Sequence, residues 1–150
     1  MKIPISVLVV IHNANGEVLL IERTDRPGFW QSVTGSLDFM DESTREAAIR
    51  EVFEETGIDV TALPSDALQD MQHAIEYEIY PDWRYRYAPG VTSNREHWFS
   101  LSVPSNTAVR LAPREHTAFE WLPFAEAAKR CFSESNTAAI LRLQALDAAK

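Results

Sequence analysis

Three glutamates, Glu51, Glu54 and Glu55, stand in a short stretch whose apolar neighbours Ala48, Ile49, Val52 and Phe53 recur at helical spacing. At 100° per residue, Glu54 lies about 300° and Glu55 about 40° round the axis from Glu51, so the carboxylates share an arc of roughly 100°. That arrangement works against the helix twice. Like charges at i,i+3 and i,i+4 repel by a few tenths of a kcal/mol each, and the last turns of a helix favour Lys or Arg over Glu. A hard divalent cation such as Mg²⁺, which takes oxygen ligands, is the simplest compensation for so dense a cluster. Such local violations are expected where a protein works. The plain alternative is a solvated helix face, with Arg50 pairing to Glu54 at i,i+4.

The elements that must carry these groups can be read on either side. Ser43-Thr44-Arg45-Glu46 has the form of a capping box, and Gly57 after Thr56 is a natural stop, so the helix is expected over residues 43–56 with Ala48, Ile49, Val52 and Phe53 as its buried stripe. Upstream, two apolar runs over 5–11 and 17–23 flank the turn residues Asn13 to Gly16 and read as a β-hairpin. A short aromatic stretch over 29–33 follows, and 35–41 reads as a connector. Downstream, 58–63, 67–80, 96–103 and 116–122 carry β-branched and aromatic residues at mostly alternating positions and are expected as strands. Residues 124–131 and 137–149 read as helices, the second preceded by the polar cap region 133–136. With no repeats or linkers, this order describes one α/β (α+β) domain over residues 1–150, a mixed sheet between helices.

Composition narrows the partners. The chain has 150 residues, 45% hydrophobic and 24% charged, with a formal charge of −8, enough length to bury a core without staples. Its acidity argues against a broad surface for nucleic acid or an anionic membrane, so an anionic ligand must be met locally. The lone Cys131 cannot form an internal bridge and fits a reducing, cytoplasmic setting. The N-terminal apolar run is broken by Pro4 and Ser6 with no cleavage pattern behind it, and no run reaches the length of a membrane span. His12, His73, His97 and His116 form no zinc-binding pattern, and there is neither a Walker loop nor a dinucleotide fingerprint.

Residues 35–58 closely resemble the box of the Nudix hydrolases, Gly-x5-Glu-x7-Arg-Glu-U-x-Glu-Glu-x-Gly-U with U apolar, and from Glu42 to Ile58 every specified position matches. Six residues rather than five separate Gly35 from Glu42, so either Asp41 replaces the first Glu or the loop carries one extra residue. The register from Glu42 to Arg50 and the cap at Ser43 favour the extra residue. The resemblance implies a Nudix α/β/α sandwich that hydrolyses a diphosphate linked to another moiety, with Mg²⁺ or Mn²⁺ as cofactor. It makes Glu51 and Glu55 metal ligands with Glu54 a third, and gives Arg50 the task of positioning the glutamates. The general base stays open among Glu51, Glu54 and Glu115. The chemistry is consistent: phosphoanhydride cleavage needs neutralised non-bridging oxygens and a held water, which carboxylate-bound Mg²⁺ can supply.

Residues 4–11, 29–36 and 86–92, with Glu115-His116, are similar to a subgroup of that family acting on a pterin triphosphate in folate synthesis. That similarity implies cleavage of dihydroneopterin triphosphate to the monophosphate and pyrophosphate. It adds Glu115 as a further metal ligand and places Lys2, Arg23, Thr34, Tyr77, Glu78, Ile79, Tyr80 and Ser133 at the substrate. Two other expectations stand beside it: hydrolysis of nucleoside triphosphates or dinucleoside polyphosphates, and a Nudix-fold sensor that binds without cleaving. Nothing in the sequence bears on the oligomeric state. Trp83-Arg84-Tyr85-Arg86-Tyr87 alternates ring and cation, so an extended backbone would put both Arg on one face, to hold phosphates beside a stacked pterin or to guard an edge strand. Trp30 and Trp98 read as core.

Overall fold

The computed structural model describes residues 1–149. Its centre is β1 (Ile5–Asn13), a run of almost unbroken apolar residues because it is covered on both faces. Val7, Val9 and Ile11 join one core cluster, and Leu8 and Val10 join another on the opposite side. The Asn13 carboxamide oxygen accepts from the backbone of Asn15 at 3.0 Å and of Glu17 at 3.2 Å, and Gly16 takes φ 73°, which turns the chain into β2 (Glu17–Arg23).

After β2 come β3 (Trp30–Gln31), β4 (Val33–Ser36), the helix α1 (Thr44–Thr56), and the strands β5 (Leu68–Glu78), β6 (Ser93–Val103) and β7 (His116–Pro123). Two helices close the chain, α2 (Phe124–Arg130) and α3 (Glu134–Ala148). The sheet is mixed: β1 pairs parallel with β6 and antiparallel with β2 and β4, β5 adds to β6, and β3 and β7 add to β2. Ala47, Ala48 and Val52 of α1 pack on one face, and Ala127, Ala128, Ala139, Ile140 and Leu143 of α2 and α3 on the other. The expected α/β class, a mixed sheet between helices, is therefore the fold.

The capping box forms: Ser43 Oγ accepts from Glu46 N at 3.0 Å, the Glu46 carboxylate accepts from Ser43 N at 3.4 Å, and Gly57 closes the helix in the left-handed region at φ 73°. The buried stripe is rotated from the expected one. Phe53 is 51% exposed while Glu55 is only 2% exposed, so a carboxylate points inward where an aromatic ring was expected. Residues 58–63 are not a strand: Asp59 caps a 3-10 turn, Val60–Ala62, its carboxylate accepting from Thr61 N at 3.0 Å and giving the backbone a local partner in place of a ladder. The extended backbone expected at 83–87 is also absent. Pro81 sets the φ of a first turn, and Pro81–Arg86 coils into a 3-10 helix. β6 begins three residues earlier than expected, and α3 begins at Glu134, where Ser133 Oγ accepts from Asn136 N at 3.4 Å. Trp98 is core as expected, and Trp30 packs part-buried against the same cluster. Among the described residues, no helix is long and apolar enough to cross a membrane.

Candidate active site

Three segments meet at the C-terminal half of α1: β4, the loop from Leu37 to Glu42, and the start of β7. At Gly35 on β4 the backbone runs against α1 so closely that a Cβ would overlap the Glu51 carboxylate. The constraint there is space for the Glu51 carboxylate and not backbone strain, because the Gly35 φ is not in the left-handed region. In the loop between Gly35 and Glu42, Glu42 N donates to Phe39 O at 3.1 Å.

Arg50 ties this corner together from behind. Its guanidinium donates to both oxygens of the buried Glu42, at 2.9 and 3.0 Å, to Ser36 O at 3.0 Å and to Glu51 Oε1 at 2.7 Å, and lies 3.4 Å from Glu54. A planar fork satisfies four partners that a lysine ammonium could not reach together. Arg50, by hydrogen bonding to its carboxylate, accordingly lowers the Glu42 pKa from its ordinary value. Such a carboxylate stabilises the fold above its unfolded pKa and loses that contribution as pH falls through the lowered folded value. Replacing Arg50 with Lys should therefore cost about 2 kcal/mol, read as a lower urea midpoint at pH 7, and the deficit should shrink below about pH 4 as Glu42 protonates.

Glu55 faces the other way. Its Oε1 lies 3.5 Å from His116 Nε2, its Oε2 is buried with no partner, and Glu115 brings a third ligand atom so that the three lie within 4.8 Å of one another. Burial, then the neighbouring Glu51, pushes the Glu55 carboxyl well up, and burial also raises Glu51. Burial with Arg23 nearby lowers His116 to about 4, so it is a neutral imidazole at pH 7. Inward carboxylates that resist ionising, with an orphaned oxygen among them, suit a divalent cation, and the oxygen-dominated set suits a hard one. His116 is the member that sequence reasoning missed. Its pairing with Glu115 was visible, but without the β7 pairing nothing brought it to Glu55.

A cleft of about 1340 Å³ opens from this cluster. Its walls include Glu51, Glu54, Glu55 and Glu115, and every residue expected at the substrate: Lys2, Arg23, Thr34, Tyr77, Glu78, Ile79, Tyr80 and Ser133. Arg50 alone of the expected site residues does not line it. The cations collect along one side. Lys2 is fixed by its backbone N donating to Arg86 O at 2.7 Å, and burial with nearby Arg86 lowers its ammonium pKa. Arg23 is forked onto Asp25, with both contacts at 2.8 Å, and lies 4.9 Å from the Trp83 ring centre. Arg86 and Arg114 also reach the cleft. The 3-10 turn sends the two expected phosphate-holding arginines apart: Arg86 lines the cleft, whereas Arg84 turns to Glu78 at 2.7 Å and Ile79 O at 3.0 Å. Sequence reasoning also passed over Asn94 and Glu96, both buried on the cleft wall. Their signal was parity, since both fall in step with the inward Trp98 on β6.

Residues 2–143 match the NUDIX domain family model. The chain is 46% identical over 140 residues to the dihydroneopterin triphosphate diphosphatase of Escherichia coli strain K12, covering 93% of this chain and 91% of that one. It is 42% identical over 136 residues to the protein of the same name from Haemophilus influenzae, covering 90% and 84%. The solved structure of the E. coli dihydroneopterin triphosphate pyrophosphohydrolase superposes with a TM-score of 0.84 over 93% of both chains, at 46% identity.

Proposed function

The chain belongs to the Nudix family, and from that premise we propose that it is a pyrophosphohydrolase that cleaves dihydroneopterin triphosphate with water to dihydroneopterin monophosphate and pyrophosphate, with Mg²⁺ as cofactor. The observation that carries this is that one cleft is lined by the inward carboxylates, by Lys2, Arg23 and Arg86, and by aromatic and polar residues together. Two relatives named for that activity, similar over nine tenths of this chain, support it.

Glu51, Glu54, Glu55 and Glu115 are the oxygen donors for the cation, and Arg50 keeps Glu51 and Glu54 in place. The cation they would hold would supply neutralisation of the non-bridging phosphate oxygens and a place for the attacking water. One of Glu51, Glu54 and Glu115 would take the proton that the attacking water gives up. Lys2 and Arg23, with Arg86, take up phosphate charge the metal does not reach. Thr34, Tyr77, Glu78, Ile79, Tyr80 and Ser133 bound the remainder of the substrate. A small phosphorylated metabolite and a lone cysteine fit a cytoplasmic protein of one domain.

Phosphorus NMR of the products tests this directly. Dihydroneopterin triphosphate should give pyrophosphate and the monophosphate in millimolar Mg²⁺, and nothing when the metal is chelated. Orthophosphate as the product, or a clear preference for ATP, GTP or diadenosine tetraphosphate, would refute the assignment.

A further inference from the structure

The proposed hydrolysis leaves one buried charge without a task. Glu96 on β6 is 2% exposed yet lines the cleft. Trp98 Nε1 donates to its Oε1 at 3.0 Å, and the Ser135 side chain nearby favours its charged form. Asn94 stands two residues away on the same face of β6, 1% exposed. Its amide nitrogen donates to Ser6 Oγ at 2.7 Å and to Tyr77 Oη at 3.1 Å, which leaves Asn94 Oδ1 buried with no partner.

With those donors used, the wall still offers two acceptors, the Glu96 carboxylate and Asn94 Oδ1, and the ligand it suits must bring donors. An orphaned buried acceptor is costly unless something fills it. A carboxylate presents two oxygens in one plane, so its best neutral complement is a pair of N–H groups that are also coplanar and adjacent, the geometry that makes forked carboxylate pairs strong. An aminopyrimidinone ring has that edge, a ring N–H beside an exocyclic amino group. Adenine lacks it, since its amino group stands beside ring acceptors.

We infer that Glu96, with Asn94 beside it, reads the paired ring N–H and amino donors of an aminopyrimidinone, and so decides which triphosphates the cleft selects. That role rests on the triphosphate substrate proposed above. Pterins and guanine share the edge, and the rest of the cleft must choose between them. Burial pushes the Glu96 carboxyl up, which strengthens its demand for donors once it is ionised.

The test compares kcat/KM of the wild-type protein and Glu96→Gln on dihydroneopterin triphosphate, GTP and ATP. Glutamine keeps the shape and can still accept from Trp98, but it turns an amide N–H₂ toward the ring donors. The expected result is a fall of at least tenfold in the pterin-to-ATP and GTP-to-ATP selectivity ratios, carried by KM. Unchanged ratios would overturn the role of Glu96 while leaving the substrate assignment intact. Wild-type preference for ATP would overturn both, and preference for GTP over the pterin would keep the edge-reading role and move the substrate to a guanine nucleotide. A further measurement needs no variant: the lumazine counterpart of the pterin triphosphate, with oxo in place of the 2-amino group, should be used at least tenfold less well by the wild-type protein. Equal use of the two rings would overturn the inference.

Discussion

Glu55→Gln should lower kcat for the pterin triphosphate by roughly 10³-fold, about 4 kcal/mol of transition-state stabilisation, while the protein keeps its fold. The substitution changes charge and leaves shape nearly constant at a position that touches His116 and lies beside Glu51 and Glu115. Stability should move the opposite way. Because burial and Glu51 raise the folded pKa of Glu55, its contribution is whole below its unfolded value, about 4.3, and is lost as pH rises toward the folded value. The metal-free wild-type protein thus carries a penalty at neutral pH that glutamine removes. Thermal melts in chelator at pH 8 should place Glu55→Gln at or above the wild type. Millimolar Mg²⁺ should raise the wild-type Tm by binding the native cluster and leave the variant nearly unmoved. Near-normal turnover by the variant would sink the metal-ligand role. A variant that melts well below the wild type would show that the buried carboxylate is structural.

Gly35→Ala is the second large effect, and it separates activity from stability in another way. The added methyl would meet the Glu51 carboxylate, the far end of a flexible side chain, so the fold can yield cheaply by turning that carboxylate away. Displacement of a reactive group by about 1 Å costs on the order of 10²-fold in rate. We expect that loss in kcat with little change in Tm. Gly16→Ala supplies the contrast, since Gly16 is at φ 73° with open space around it. It should cost about 1 kcal/mol of stability through backbone strain alone and leave turnover unchanged. Equal activity of Gly35→Ala and wild type would mean that Glu51 does not need its observed position.

The helix bearing the carboxylates was legible because its determinants are local. Ser43 and Glu46 cap it, Gly57 ends it, and the interval between Glu42 and Arg50 holds a register that the clamp between them uses. What failed nearby failed for identifiable reasons. Residues 58–63 have strand-like composition, but a carboxylate at Asp59 offers the backbone a nearer partner. The ring-cation alternation at 83–87 looked extended until Pro81 set a tighter turn. Phe53 and Glu55 exchanged the roles that hydrophobicity would give them, because the inward position of the last turn faces His116 and not the apolar core.

By itself the sequence determined the class of fold, the carboxylate helix and the family, since caps, periodicity and a spaced motif are properties of consecutive residues. The tertiary structure alone decided which groups share a site. His116 reaches Glu55 because β7 pairs with β2 across nearly a hundred residues of chain, and the register of β6 against β1 puts Glu96 opposite Ser6. Burial depends on what other segments cover. Only the assembled sheet and helices therefore decide which carboxylates resist ionising, which acceptors go unpaired, and how cations and carboxylates come to line one cleft.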